Sequence, residues 1–190
     1  MKQERRYIIL AAPSGSGKTT VAKYILQTFP QVQFSISSTT RSQRQNEIDG
    51  SDYYFISKES FLEKIQAGEV VEYEEIYGNY YGTMKQELKR LEQNNIIILF
   101  DIDVLGAINL SKIFANSAVL LYISPPSIEV LEQRLRLRST ETEEQIQKRL
   151  ARAKMELTYK NQFDYVVVND TLEATLEQVR EIITKEFTIS

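Results

Sequence analysis

The chain contains no cysteine and no histidine. The first absence excludes disulfides and thiolate chemistry. The second removes the side chain that most often moves protons near neutral pH, and the commonest nitrogen ligand for metals. Any catalysis must therefore rest on lysine, arginine, carboxylates and a hard cation. An excess of one charge is also missing. Twenty-three Lys and Arg against 26 Asp and Glu leave a net charge of -3, so there is no overall field for nucleic acid and any anion site must be a local cluster. Long apolar runs are absent too. The run Tyr7 to Ala11 follows the basic residues Lys2, Arg5 and Arg6 but is far too short for a secretory core or a membrane span. The expectation is a cytoplasmic protein with no membrane and no nucleic-acid partner. At 190 residues with 42% hydrophobic side chains, the chain suits one core domain carrying a small insertion.

The most informative stretch present is Ala12-Pro13-Ser14-Gly15-Ser16-Gly17-Lys18-Thr19-Thr20, directly after that apolar run. It reads as strand, glycine-rich turn and helix start, the layout of a phosphate-binding P-loop. Gly15 and Gly17 allow positive φ, so that backbone N–H groups curl around phosphate oxygens. The following helix adds unpaired N–H donors and the positive end of its dipole. Lys18 supplies a point charge for the β- and γ-phosphates of a nucleoside triphosphate, and the Thr19 hydroxyl is placed to ligate Mg2+. Ala12 stands where the motif expects its first glycine. The plainer reading is a Gly/Ser-rich turn with an incidental lysine.

Strand-like and helix-like segments alternate, which predicts a three-layer α/β/α fold around a parallel sheet. Strands are expected at Tyr7 to Ala11, Phe34 to Ser37, Ile96 to Asp101, Ala118 to Ile123 and Tyr165 to Val168. The run Ile96-Ile97-Ile98-Leu99-Phe100 lacks alternation, as a strand buried on both faces does. Val21, Ile25 and Phe29 keep helical spacing until Pro30. Further helices are expected at Thr83 to Asn94, Ser127 to Arg138, Glu143 to Tyr159 and Leu172 to Glu186. In the helix from Glu143, the buried stripe is Ile146, Leu150, Ala153 and Leu157.

Residues 38 to 83 break this alternation. They carry six of the eleven tyrosines and one amphipathic helix around Phe61, Leu62 and Ile65, and read as a small mixed subdomain inserted between core segments 1–37 and 84–190. Within it, Arg41 and Arg44 follow a hydroxyl-rich run from Ser37. Two guanidinium forks converging with the hydroxyls of Tyr53 and Tyr81 would hold a phosphate dianion; a solvated basic loop is the alternative. Asp101 ends a buried strand, where ligands collect in open α/β sheets, and can orient Mg2+ through water. Asp101 or Asp103 could equally cap the next helix. Arg134 and Arg138 lie at i, i+4 on one helix face. The acidic, hydroxyl-rich segment 138–145 and then Arg149 follow, a pattern that reads as a lid bringing arginines over a phosphoryl group. Arg136 and Arg152 read as surface ion pairs of little worth.

The chain resembles the guanylate kinase family nearly end to end. The resemblance is carried by the P-loop, Ser37 to Arg44, Gly50 with Tyr53 and Phe55, Glu72, Gly78-Asn79-Tyr80-Tyr81-Gly82-Thr83, and Asp101-Ile102-Asp103 with Gly106. It continues through Pro125-Pro126-Ser127, Arg134 to Arg138, Thr140 to Glu144, Lys148-Arg149-Leu150 and Val168-Asn169-Asp170. It implies a kinase that moves the γ-phosphoryl of ATP onto GMP, and dGMP as well, to give GDP and ADP. The implied catalytic residues are Lys18, Arg44, Arg138 and Arg149. ATP would meet the loop Ala12 to Thr20, Arg134 and Asn169, although Asn169-Asp170 also reads as an ordinary turn. GMP would meet Ser37, Arg41, Arg44, Tyr53, Glu72, Tyr81, Thr83 and Asp103. Thr19 and, through water, Asp101 would hold Mg2+.

Chemistry supports the base reader. Guanine presents N1–H and N2–H₂ as adjacent donors that one carboxylate can accept in a fork. Adenine lacks that pair and would leave Glu72 desolvated and unpaired, at a cost of about 1–3 kcal/mol or more. Three departures from the family pattern stand out: Gln43 for a proline, Asn46 for a glycine, and Leu105 for a glutamine. The first two should alter the stiffness of the phosphate-clamp loop. Two competing functions stay open at this level: a guanylate-kinase-like peptide-binding module, and a kinase of another small phosphorylated molecule. The protein is expected to be a monomer or homodimer.

Overall fold

The structure, a computed structural model, describes residues 5–92, 96–137 and 142–187. In chain order its elements are β1 (Tyr7–Ala11), α1 (Lys18–Thr28), β2 (Val32–Phe34), β3 (Ser38–Thr39), β4 (Tyr54–Phe55), α2 (Lys58–Gln66), β5 (Val70–Ile76) and β6 (Asn79–Met84). Then follow α3 (Lys85–Leu91), β7 (Ile97–Ile102), α4 (Val104–Phe114), β8 (Ala118–Ser124), α5 (Ile128–Leu137), α6 (Glu143–Leu157), β9 (Tyr165–Val168) and α7 (Leu172–Glu186).

Five strands form a parallel sheet in the order β2-β7-β1-β8-β9. Side chains alternate across β1. Ile8 and Leu10 join a core with Val21, Ile25, Val179 and Ile183 of α1 and α7. Ile9 and Ala11 face the opposite core, with Val104, Ala107 and Leu110 of α4. These two apolar layers make the three-layer arrangement that the sequence predicts. Ile146, Leu150 and Ala153 pack on Leu131 and Leu135 of α5, while Leu157 packs against the α4 side of the sheet. No described helix is long and apolar enough to cross a membrane.

A second, four-stranded sheet runs β4-β3-β6-β5. The hairpin β5–β6 is antiparallel, and its turn places both Tyr77 (φ 52) and Gly78 (φ 80) in the left-handed region. Fully buried Phe61 of α2 stacks on Tyr80 at 5.4 Å and meets Tyr73 edge-on at 6.3 Å. These aromatics give the small sheet a core of its own.

Three expected segments differ in their bounds by more than a residue. Of the strand expected at Phe34 to Ser37 only Phe34 is strand, the last residue of β2, and the next strand, β3 in the other sheet, starts at Ser38. The Ser35 amide still donates to Leu99 O at 2.9 Å, but the Ile36 amide donates to the Glu87 carboxylate at 2.8 Å, so the chain leaves the first sheet there. The helix expected from Thr83 starts at Lys85, because Thr83 and Met84 pair with Glu72 and Val70 across the hairpin. The helix expected to reach Tyr159 stops at Leu157, where the Thr158 amide and hydroxyl both turn back to Met155 O. Arg138 and the first residues of the lid lie outside the described residues, as does Asn94.

Candidate active site

The loop after β1 has the geometry its residues predict. Gly15 and Gly17 both take φ 95, and Gly17 forms the N-terminal boundary of α1. Gly17 is doubly constrained, since a Cβ there would lie 2.3 Å from Asn169 Nδ2. That amide donates to Ser16 O at 2.7 Å, and its oxygen accepts from the Thr175 hydroxyl at 3.1 Å. Arg134 donates to Asn169 O at 2.9 Å. Asn169 and Arg134 thus brace the loop from behind, a role that the sequence pattern alone does not reveal. Ala12 is buried, and its methyl group belongs to the core on the α1 side.

Lys18 sits 2.5 Å from Asp101 Oδ1 and donates to Ile102 O at 2.6 Å. Burial disfavours its charge, but the neighbouring Asp101 more than offsets this and holds the ammonium pKa above its ordinary value. The loop, Lys18 and Thr19 line a cleft of about 430 Å³ whose other walls include Arg41, Arg44, Tyr53, Tyr81 and Arg149. Arg149 reaches the loop itself, donating to the Ser14 hydroxyl at 2.6 Å.

The segment expected to clamp a phosphate is built around a carboxylate. Glu47 accepts both forks of Arg41, at 2.8 and 3.0 Å, and the Arg44 backbone amide at 2.8 Å. The Arg41 guanidinium also lies over the Tyr53 ring at 5.5 Å. Arg44 keeps its side chain 68% exposed at the cleft wall. Glu47 is a positioning residue that sequence reading passed over, although its place three residues after Arg44 was a usable signal. Gln43 donates to Glu47 O at 2.6 Å, and Asn46 takes no positive φ, so neither departure asks the loop for a conformation only glycine could supply.

A smaller chamber of about 130 Å³ adjoins Lys18 and Asp101 and is lined by Ser37, Tyr53, Glu72, Tyr81 and Asp103. Seven of the eight residues implied for GMP therefore line one or both spaces, with Ser37 and Glu72 in the inner one alone. Thr83 does not line either. It is fully buried, and its hydroxyl and amide both donate to Glu72 Oε1, at 2.8 and 3.1 Å. Burial foremost pushes the Glu72 carboxyl up to about 7; Asp103 adds to the shift and the Thr83 bonds oppose it. Asp103 caps α4 by accepting from the Gly106 amide at 2.9 Å while its carboxylate faces the chamber. Gly106 is what permits this close approach, because a Cβ there would stand 3.0 Å from Glu72 Oε2.

Arg136 behaves as expected, pairing with Glu132 and Glu143 on the surface. Arg152 does not. It is mostly enclosed and binds Glu74 and Glu156, each at 2.7 Å. Its partner Glu74 lies 78 residues away in the chain, so no local pattern could have marked the pair.

The comparisons with known proteins agree over the whole length. A family model described as Guanylate kinase matches residues 4–186. The chain belongs to the guanylate kinase family. A guanylate kinase of Chlorobium luteolum is 44% identical over 174 residues, covering 92% of this chain and 88% of that protein. One from Rickettsia felis is 43% identical over 186 residues, covering 98% and 96%. The crystal structure of guanylate kinase from Anaplasma phagocytophilum superposes with a TM-score of 0.78 at 31% identity, covering 98% of this chain and 88% of that one.

Proposed function

We propose that ATP lies along the loop from Ala12 to Thr20 and that GMP lies in the chamber, its phosphate clamped by Arg41, Arg44, Tyr53 and Tyr81. As a guanylate kinase the protein is an ATP-dependent nucleoside monophosphate kinase. The observation that carries the assignment of sites is the position of Glu72. Its carboxylate is buried and lines the same small chamber as Lys18 and Asp101. Thr83 occupies one oxygen and leaves the other to accept guanine N–H donors. The Ser37 hydroxyl, on the same wall, can donate to O6. None of these contacts addresses the ribose 2′-hydroxyl, so dGMP is also a substrate.

The reaction needs little proton chemistry. A GMP phosphate oxygen, already anionic, forms the new bond to the γ-phosphorus as the bond to the β-bridging oxygen breaks, and ADP leaves with that electron pair. Positioning and charge stabilisation do the rest, which suits a chain without histidine. Lys18, freed from Asp101, covers the β/γ oxygens, and Arg149 approaches from the lid side. Arg44 guides the incoming phosphate, and Arg138 is assigned to the same group. The Thr19 hydroxyl and the Asp101 carboxylate form a hard-oxygen donor set of the kind Mg2+ takes when it keeps its waters and phosphates as further ligands. When bound there, the ion would neutralise charge on the phosphate oxygens. Replacing Lys18 with Ala should lower kcat by about 10²–10³-fold or more while calorimetry still detects GMP binding. Turnover at the wild-type rate would overturn the assignment of the loop.

A further inference from the structure

We propose that Arg152 and Glu74 form a latch that holds the β5–β6 hairpin against helix α6, making Arg152 a positioning residue for GMP; this rests on the assignment of GMP to the chamber given above. The hairpin carries Glu72, Tyr81 and Thr83, and Glu74 stands directly across from Tyr81 in the register. Residues two apart on a strand share a face, so Glu74 projects on the same side as Glu72, towards α4 and α6. Arg152 Nη2 donates to Glu74 Oε1 at 2.7 Å, while its Nε donates to Glu156 Oε1 at 2.7 Å. The same guanidinium is 4.0 Å from Asp103 Oδ1 and lies 6.0 Å from the ring centroid of Tyr77, in the hairpin turn.

The placement along α6 gives the contact its meaning. Arg149, one turn earlier, touches the P-loop, and Arg152 touches the hairpin. One rigid helix thereby spans the ATP side and the GMP side of the cleft. The bridge is also enclosed: the side chains of Arg152, Glu74 and Glu156 are 18, 15 and 5% exposed. Removing one partner from such a cluster leaves a desolvated charge unanswered, which is a far larger change than losing a surface pair. Without Arg152, Glu74 on the hairpin and Glu156 on α6 lose the cation that joins them. Without Glu74, the guanidinium loses its hydrogen bond to the second sheet. Either loss lowers the fraction of molecules in which the GMP contacts are assembled, and apparent affinity falls by that fraction.

The test combines kinetics with a ligand-free distance. Arg152→Ala, Glu74→Ala and the double variant are assayed for the KM of each substrate. The absence of native cysteines lets Glu63→Cys and Glu173→Cys carry a single dye pair for energy transfer between α2 and α7. The latch predicts a KM for GMP raised about tenfold or more in each single variant, with the KM for ATP and kcat at saturation within about twofold. The double variant should be no worse than the worse single one, and the dye separation should lengthen without ligand. An unmoved GMP KM, multiplying single effects, or an equal rise in both KM values would overturn it, the last by marking a merely structural role. If wild type fails to phosphorylate GMP, the assignment of the chamber fails instead, and the dye distance still reports on the latch.

Discussion

At the scale of one residue, the proposed selectivity rests on Glu72, whose burial makes it pH-sensitive. Its pKa in the fold, about 7, lies above the ordinary carboxylate value of 4.5. A raised acid binds an extra proton in the folded state across that window, so its contribution to stability is full at lower pH and falls as pH rises from about 4.5 through 7. Recognition runs the other way, because only the ionised carboxylate accepts both guanine donors. The kcat/KM for GMP should therefore climb with pH and level off above about 7. Glu72→Gln should flatten that limb and reduce kcat/KM by about tenfold or more, since an amide turns a donor toward guanine's own donors. An unchanged profile in the variant would assign the limb to another group. Glu72 was legible through the motifs that carry the family resemblance, and the proposed guanine chemistry suits a carboxylate there. Glu47 was passed over although its partners Arg41 and Arg44 are close in the chain, while the enclosed pairing of Arg152 and the loop-bracing contact of Asn169 were not legible, since each depends on a distant residue that the fold delivers.

At the scale of elements, the alternating pattern exposes the parallel sheet plainly: β1, β7, β8 and β9 fall within a residue of their expected ends. The short strands were harder. Ser35 to Ser37 looks like continuous strand, yet the chain changes sheets there because Glu87 takes the Ile36 amide. Glu87 also accepts from Arg90 and from the Tyr54 hydroxyl at 3.4 Å, tying α3 to the second sheet at its hinge. Thr83 and Met84 were drawn into β6 by hairpin partners that helical spacing ignores. The second sheet has its own aromatic core, so Phe61→Ala should cost about 3–5 kcal/mol of local stability. The expected outcome is a lower melting transition and a raised KM for GMP, with ATP binding retained. Equal damage to both substrates would show that the two sheets do not separate their functions.

At the scale of the whole molecule, two sheets face each other across one cleft, and the division of labour follows their architecture. The parallel sheet presents its C-terminal edge, with the P-loop, Lys18 and Asp101. The mixed sheet carries the Glu72 carboxylate, and the segment after β3 carries the arginines proposed to clamp a phosphate. A peptide-binding module of this shape would have no use for Lys18, Thr19 and Arg149 converging on the cleft, and a kinase of another phosphorylated small molecule would have no use for Glu72 held ready by Thr83. The most direct test of the account is ADP formation from ATP with GMP, AMP, CMP and UMP in turn. The account predicts rapid turnover of GMP and only background with the other three; turnover of AMP or UMP equal to that of GMP would contradict it.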